Sequence, residues 1–278
     1  MNDMAYASGT ERVKTWLQAC PGDPQAGGAV LHIRFNNPAK HNAVSADMWQ
    51  ALPALLARAE KDDAVRLVAF SGEGEKSFVS GADISQFEDL RAAKEAVRKY
   101  EVFAEEALQG IYHFAKPTLA CIRGYCIGGG VNIAISCDLR IASSDSVFSI
   151  PATRLGLGYR YSAMKNLVDL VGPGNAQDMF FTARRLDAAE AQRIGLINRV
   201  APREGLDALL AEYVQSISTG APLTIKAGKR IVREALKPHA DVDMELCRRL
   251  ILDCFESDDY AEGRRAFMEK RKPVFKGK

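Results

Sequence analysis

The sequence lacks the residue patterns that bind metals or form disulfides. Its 278 residues include only four histidines and six cysteines. The histidines show none of the short spacings of metal ligands, and no two cysteines form a C-x-x-C pair. We therefore expect no metal site, and we expect the cysteines to be buried small side chains in a reducing compartment.

The sequence also lacks an excess of charge and any long apolar run. Lysine and arginine total 37 against 35 aspartates and glutamates, so the net charge of +2 gives no electrostatic reason to expect a nucleic-acid partner. No window approaches the roughly 18 apolar residues that a membrane span needs. The stretch from Met1 to Lys14 is too polar for a signal peptide. These absences predict a cytoplasmic protein that binds neither nucleic acid nor a membrane.

Short apolar runs alternate with helical patterns over the first 200 residues, which predicts an α/β core. Strands are predicted at 30–35, 67–70, 119–122, 139–142 and 147–150, and helices at 46–61, with Ser45 as cap, and 91–114. Amphipathic helices are predicted at 205–218, 222–236 and 241–256. The predicted organisation is a partly ordered segment at 1–27, a core at 28–204 and a helical oligomerisation region at 205–278.

Two loops that follow predicted strands suggest a function. The first is Phe78–Ile84, and the second is Gly124–Asn132, which contains a glycine triplet and opens an apolar helix. Glycine lets backbone N–H groups approach a ligand closely, and a helix N-terminus adds free donors and partial positive charge. Two such donors can stabilise the negative charge of a thioester enolate, at roughly 3–4 kcal/mol each. Taken alone, the triplet is weak evidence, and a tight turn with close helix packing explains it better.

The spacing of these and other motifs resembles the crotonase, or enoyl-CoA hydratase/isomerase, family. The motifs are Asn37-Pro38-Ala39-Lys40-His41-Asn42-Ala43, Ser80-Gly81-Ala82-Asp83-Ile84, Gly124-Tyr125 through Gly128-Gly129-Gly130, Cys137-Asp138, Leu155-Gly156 and Phe267-Met268-Glu269-Lys270. The resemblance runs from about residue 28 to the C-terminus. It implies a spiral of ββα turns with a C-terminal helical trimerisation region, assembled as a homotrimer or a dimer of trimers. It also implies an acyl-CoA thioester as substrate, with coenzyme A as part of that substrate and no separate cofactor.

The resemblance assigns roles to individual residues. The backbone N–H groups of Ala82 and Gly129 should form an oxyanion hole. Further substrate contacts are implied for Lys40 and His41, near the coenzyme A nucleotide, for Ala82, Asp83, Ile84 and Ser85, along the adenine and pantetheine path, and for Gly128, Phe267 and Lys270. Of these, Phe267 and Lys270 should reach coenzyme A bound to a neighbouring subunit, although a solvated basic tail also explains Lys270. Asp83 also fits a purely structural role.

The sequence departs from the family at two catalytic positions. Where hydratases carry glutamates, this chain has Asn132 and Ala152, and neither can act as a general acid or base. The first interpretation is a hydratase or isomerase with replaced catalytic groups, in which Tyr159, Tyr161 or Ser80 positions water or donates a proton. Asn132 itself is either a catalytic residue or a cap in the first helical turn.

Two alternatives remain open. Decarboxylation of a malonyl-type thioester produces an enolate without a base, and the missing glutamates would no longer repel the substrate carboxylate. Tyr159 resembles a tyrosine of the methylmalonyl-CoA decarboxylase branch, and Arg154 or Arg160 could hold the departing carboxylate. Packing explains Tyr159, and surface or subunit contacts explain the two arginines, equally well. The second alternative is an acyl-CoA binding protein without catalysis.

Overall fold

The computed structural model describes residues 6–20, 28–83 and 93–278. Its strands are β1 (Val13–Ala19), β2 (Ala29–Phe35), β3 (Val65–Gly72), β4 (Ser77–Val79), β5 (Thr118–Ile122), β6 (Tyr125–Ile127), β7 (Leu139–Ser143), β8 (Val147–Ser149), β9 (Leu186–Asp187) and β10 (Arg199–Ala201). Its helices are α1 (Ala46–Lys61), α2 (Ala93–His113), α3 (Gly129–Ser136), α4 (Ala152–Leu155), α5 (Tyr161–Thr182), α6 (Ala188–Arg193), α7 (Leu206–Ser218), α8 (Pro222–Ala235), α9 (Met244–Phe255) and α10 (Asp258–Met268).

The strands form two sheets that are built by a repeated unit. One sheet has the order β1-β2-β3-β5-β7-β10 and the other β4-β6-β8-β9. Three successive units, β3-β4-α2, β5-β6-α3 and β7-β8-α4, each place their first strand in the larger sheet and their second in the smaller one. Because each unit repeats the same path, strands from successive units pair in parallel. The prediction of an α/β spiral of ββα turns is therefore confirmed.

The core is formed where the helices cover the sheets. All five residues of β5 are buried, as expected for a parallel strand covered on both faces. Helix α1 begins after Ser45 and buries Leu52, Leu55 and Leu56 on one face, as the sequence pattern predicts. Helix α2 packs beside α1 through Ala104, Ala107 and other small or apolar residues that belong to the same buried cluster.

Five strands of the described part of the chain, β1, β4, β6, β9 and β10, lie where the sequence pattern did not indicate them. Strand β1 pairs antiparallel with β2 from Val13 opposite Phe35 to Ala19 opposite Ala29. It is a half-exposed edge strand, so it lacks a clean apolar alternation. Strand β6 lies inside the predicted loop 124–132, because three residues between glycines are enough to pair with both β4 and β8.

The last third of the described chain is helical, from α7 to α10. Helix α8 packs against α9, and large apolar side chains remain exposed on this region, among them Ile251, Leu252, Phe255, Phe267 and Met268. Within the described residues, no helix is long and apolar enough to cross a membrane.

None of the six cysteines is in a disulfide. Five are buried, and Cys254 on α9 is partly exposed. Burial raises the pKa of the Cys121 thiol and of the Cys137 thiol to about 12. These two thiols are therefore protonated at neutral pH, and they pack as small apolar side chains.

Candidate active site at two loops of the smaller sheet

The two loops that the sequence singles out meet at one edge of the smaller sheet. Strand β4 ends at Val79 and is followed by Ser80–Asp83, whereas β6 ends at Ile127 and leads through Gly128 into α3. Because β4 and β6 are parallel neighbours, their carboxyl ends lie side by side. In open parallel sheets, this is the edge at which ligands bind.

Two glycines make the close approach of these loops possible. Gly128 has φ +54° and ψ −110°, a conformation that side-chain-bearing residues rarely adopt. A Cβ on Gly130 would lie 2.1 Å from the carbonyl oxygen of Val79, so the start of α3 can pack onto β4 only without a side chain there. Gly128 and Gly130 are therefore required by the path of the backbone.

The amides of Ala82 and Gly129 lie close together. A Cβ built on Gly129 would stand 3.9 Å from Ala82 N, and one built on Gly81 would stand 4.0 Å from Gly129 N. A bridge to Val44 fixes the first loop, because Val44 N donates to Gly81 O (2.8 Å) and Asp83 N donates to Val44 O (2.9 Å). Neither the Ala82 nor the Gly129 N–H donates a hydrogen bond to a group in the described part of the chain. Both donors are thus available to a ligand.

A cavity of about 300 Å³ adjoins these amides. Of the predicted site residues, Ala82, Gly128, Gly129, Asn132, Tyr159 and Arg160 line it. Its apolar lining includes Trp49, Ala104, Leu108, Ile127, Ile150, Ala152, Leu155 and Leu157. The cavity therefore combines a mostly apolar wall with a few polar groups, as small-molecule sites commonly do.

Tyr159 and Asn132 form a hydrogen-bonded pair in this cavity. The Tyr159 hydroxyl donates to Asn132 Oδ1, and its ring packs edge-on against Phe180 at 5.3 Å between ring centroids. Burial raises the pKa of Tyr159, so the hydroxyl keeps its proton at neutral pH. The pair therefore presents uncharged polar groups beside the amides of the glycine loop.

One polar residue of the cavity was not identified as a site residue from the sequence. Glu101 on α2 lines the cavity and forms an ion pair with Arg160, whose Nε also lies 3.6 Å from Glu105 Oε2. Glu101 is the only carboxylate among the described residues that line this cavity. It belongs to no motif, because it occupies an ordinary polar position of an amphipathic helix.

The comparisons with known proteins agree with this architecture. The model of the enoyl-CoA hydratase/isomerase family matches residues 25–278. The chain belongs to the enoyl-CoA hydratase/isomerase family. It is 33% identical over 245 residues to a short-chain-enoyl-CoA hydratase of Clostridium acetobutylicum, covering 88% of this chain and 93% of that protein. It is 31% identical over 258 residues to a carnitinyl-CoA dehydratase of Citrobacter koseri, covering 90% of this chain and 96% of that protein.

Solved structures of the family share the fold. An enoyl-CoA hydratase of Bacillus anthracis superimposes with a TM-score of 0.88 at 25% identity, over 96% of this chain and 100% of that chain. An enoyl-CoA hydratase/carnithine racemase of Magnetospirillum magneticum gives a TM-score of 0.86 at 29% identity, over 97% of each chain. Together with the two sheets and the C-terminal helices, these matches establish the crotonase fold.

In this family member, the residues predicted to lie near the coenzyme A nucleotide flank the first loop. Lys40 Nζ donates to both carboxylate oxygens of Asp83 at 3.0 Å, and the Asp83 carboxylate is buried. His41 Nδ1 lies 3.3 Å from Ser77 Oγ on β4. Lys40 and Asp83 are thus joined to each other beside Ala82, and their contact with a nucleotide stays a prediction.

Other predicted residues lie away from the cavity. Arg154 does not line it, and its Nη2 lies 3.5 Å from Thr182 O at the end of α5. Tyr161 is 81% exposed and also does not line it. Neither side chain contacts the loop amides.

The remaining predicted residues are at the C-terminal helices or outside the described residues. Phe267 is 82% exposed near the end of α10, and Lys270 follows that helix with φ +54°. Ile84 and Ser85 lie outside the described residues. Within the described ranges, no group of three or more histidine, cysteine or acidic side chains is placed to hold a metal ion.

Proposed function

We propose that this chain is an acyl-CoA-processing enzyme of the enoyl-CoA hydratase/isomerase class that stabilises a thioester enolate. The observation that most directly supports this proposal is the pair of neighbouring N–H groups of Ala82 and Gly129 at the cavity. The thioester carbonyl oxygen binds between them. The hydratase and dehydratase relatives, both named for CoA thioesters, support this substrate class.

The two amides stabilise charge because they are already oriented before the substrate binds. The Gly129 amide is at the first turn of α3, where the helix dipole adds partial positive charge. A donor aimed at a developing oxyanion contributes roughly 3–4 kcal/mol to transition-state stabilisation. The mostly apolar wall of the cavity limits competition from water.

Proton transfer needs a group other than the two positions that hold glutamates in hydratases. By the family resemblance these positions are Asn132 and Ala152, and neither side chain can take a proton at neutral pH. Within this proposal, Glu101 serves as the general base, because it is the carboxylate among the described residues that line the cavity. Tyr159 serves as a neutral hydrogen-bond donor, and Asn132 is its partner.

The oxyanion hole is tested by removing one amide hydrogen. Gly129 is the first residue of α3, a position that tolerates proline, so Gly129→Pro deletes the N–H while keeping the helix. Gly129→Ala is the matched control, because it adds a Cβ at ordinary contact distance and keeps the N–H. With crotonyl-CoA, followed by loss of enoyl absorbance, we expect Gly129→Pro to lower turnover by about 100- to 1000-fold relative to Gly129→Ala. Equal rates in the two variants would remove Gly129 from the mechanism.

A specific observation favours decarboxylation of a malonyl-type thioester as a second candidate. The Tyr159–Asn132 pair and Ala152 place uncharged groups at the cavity, and loss of carbon dioxide forms an enolate without a base. Arg160 would bind the substrate carboxylate in place of the carboxylate of Glu101, with which it forms an ion pair in the structure. Arg154, which bonds outside the cavity, contributes less to this candidate.

One substitution separates the two candidates. Glu101→Gln removes the base that hydration or isomerisation needs, but it frees Arg160 for a substrate carboxylate. We expect the variant to lose about a hundredfold or more in crotonyl-CoA hydration if the first candidate is right. If methylmalonyl-CoA or ethylmalonyl-CoA releases carbon dioxide instead, the same variant should be as fast as the wild type or faster. Glu106→Gln, on the exposed side of α2, is the control for both assays. Tight acyl-CoA binding with no turnover of any thioester would assign the chain to non-catalytic binding.

We also propose that the C-terminal helices assemble the chain into a homotrimer or a dimer of trimers. Phe255, Phe267 and Met268 expose 57%, 82% and 81% of their surface, which favours a covered interface. In such an assembly Phe267 and Lys270 contact coenzyme A of the neighbouring subunit. Light scattering on the purified protein measures the mass, and a monomer at micromolar concentration would refute the assembly.

A further inference from the structure

A second, larger cavity lies between the core and helix α8. Its volume is about 530 Å³, and it shares no lining residue with the cavity at the loop amides. Its lining includes Ile135, Leu170 and Ile225 on the apolar side and Asp138, Lys229 and Arg233 at one end. Because Val232 is 61% exposed, the cavity opens to solvent beside that residue.

The polar end of this cavity holds two cations and one carboxylate. Lys229 Nζ lies 2.6 Å from Asp138 Oδ2, and Arg233 Nη2 lies 3.1 Å from Asp138 Oδ1. The side chains of Lys229 and Arg233 are 10% and 13% exposed. Arg233 Nε is buried and has no hydrogen-bond partner in the described part of the chain. Two cations share one carboxylate here, so one positive charge is left over at this end.

The other groups around the cluster do not neutralise this charge. Asp169 also lines the cavity, but it is paired with Lys165 Nζ at 2.5 Å. The guanidinium of Arg233 stacks on the ring of Tyr112 at 3.4 Å from the ring centroid. The pKa of neighbouring His113 is lowered, first by burial and then by Arg233, Arg230 and Lys229, which is consistent with a positive local field.

We propose that this cavity binds the carboxylate of an apolar monoanion, a fatty acid of medium chain length. The carboxylate lies beside Lys229 and the guanidinium of Arg233, which line the cavity, and it balances their excess positive charge. The chain lies along the apolar wall formed by residues such as Ile135, Leu170 and Ile225. Volume, apolar walls and few convergent polar groups are the features of a small-molecule site. The proposal does not depend on the reaction at the loop amides.

Calorimetric titration of the full-length protein with decanoate tests this site. Arg233→Met keeps the length of the side chain and removes its charge and donors, so we expect decanoate to bind about tenfold more weakly or worse. Arg230→Met is the matched control, because Arg230 is on the same helix, lies outside the cavity lining and pairs with Glu234 at 3.1 Å. The control should bind decanoate as the wild type does. Decanol, which has no carboxylate, should bind the wild type no better than decanoate binds Arg233→Met.

A second variant keeps the test valid if Arg233→Met fails to fold. Val232→Trp puts a large ring at the exposed mouth of the cavity and leaves the charged cluster intact, so it should also weaken decanoate binding. Lack of saturable binding by the wild type would overturn the proposal, and so would equal affinity of the two arginine variants. Displacement of decanoate by coenzyme A would assign the binding to the loop site instead and would also overturn it. If Val232→Trp lowers the assembly mass and decanoate does not bind, the cavity is a subunit contact and the proposal is wrong.

Discussion

The two ends of helix α3 present different kinds of chemistry. At its N-terminal end, Gly129 and the neighbouring Ala82 offer backbone N–H groups whose positions follow from the path of the chain. Just beyond its C-terminal end, Asp138 accepts from the side chains of Lys229 and Arg233. A site made of backbone depends on the path of the chain, whereas a side-chain cluster depends on each of its members. The two ends should therefore be sensitive to different kinds of substitution.

The largest effect should come from adding one carbon at the backbone end. Gly130→Ala would place a Cβ 2.1 Å from Val79 O, and neither the helix nor the strand can move without separating the loops. We expect a loss of about 3 kcal/mol or more in the free energy of unfolding. Urea denaturation measures this loss. In the control Gly174→Ala, no atom lies within 4 Å of the added Cβ, so stability should be unchanged or higher.

The charged end should be sensitive to a change that keeps side-chain volume. Asp138→Asn leaves Lys229 and Arg233 nearly buried without a carboxylate, and we expect it to cost about 3 kcal/mol in the same denaturation assay. Asp178→Asn is the control, because Asp178 forms an ion pair with Arg184 in which both side chains are well exposed. That pair should contribute about 0.5 kcal/mol. Equal losses in the two variants would show that the cluster is no more than a surface ion pair.

A side-chain change at the backbone end should affect turnover more than folding. Tyr159→Phe removes the hydroxyl that donates to Asn132 Oδ1, at a cost of about 1 kcal/mol in stability. If the hydroxyl acts on the substrate, turnover of the thioester falls by about a hundredfold. Steady-state assays beside a denaturation curve separate the two quantities. Unchanged turnover would reduce Tyr159 to a packing residue.

The smallest expected effect is a change in the pKa of His113, which is sensitive to the positive charges near the C-terminal end of α3. The pKa of His113 is lowered by burial and then by the positive charges of Arg233, Arg230 and Lys229. Removing one of these charges in Arg233→Met favours the imidazolium, so the pKa of His113 should rise. A histidine with a lowered pKa destabilises the folded state as the pH falls through the ordinary histidine range. The variant should therefore lose less of its free energy of unfolding over that range than the wild type does. NMR titration of the His113 ring measures the shift, and Asn132→Ala at the other end should leave it unchanged.

Much of the fold and part of the site could be predicted because they depend on local rules. The apolar runs placed β3 and β5 within two residues at each end, and Ser45 marked the start of α1, although its hydroxyl donates to Asp47 and does not cap a backbone N–H. The pairing of the Ala82 and Gly129 amides was implied by the resemblance to the crotonase family, and the two loops after strands are the part of it that the residue pattern itself indicated.

The rest depends on contacts between distant segments. Glu101 has no motif, and it reaches the cavity only because α2 packs across the start of α3. Lys229 and Arg233 have the spacing of one ordinary helix face, and their meeting with Asp138 joins residues about ninety positions apart. Strand β1 was not predicted because its residues are polar and half-exposed and do not alternate between apolar and polar. Only its pairing with β2 identifies it as a strand.

The distribution of thiols makes this protein selectively labelable without engineering. Five of the six cysteines are buried, and only Cys254 on α9 is partly accessible. Alkylating reagents attack thiolates, so they should modify this position first in the dissociated chain. A fluorophore or spin label attached there would lie among the apolar side chains of the last helices. It would report subunit association directly, while the loops around Ala82 and Gly129 stay unmodified.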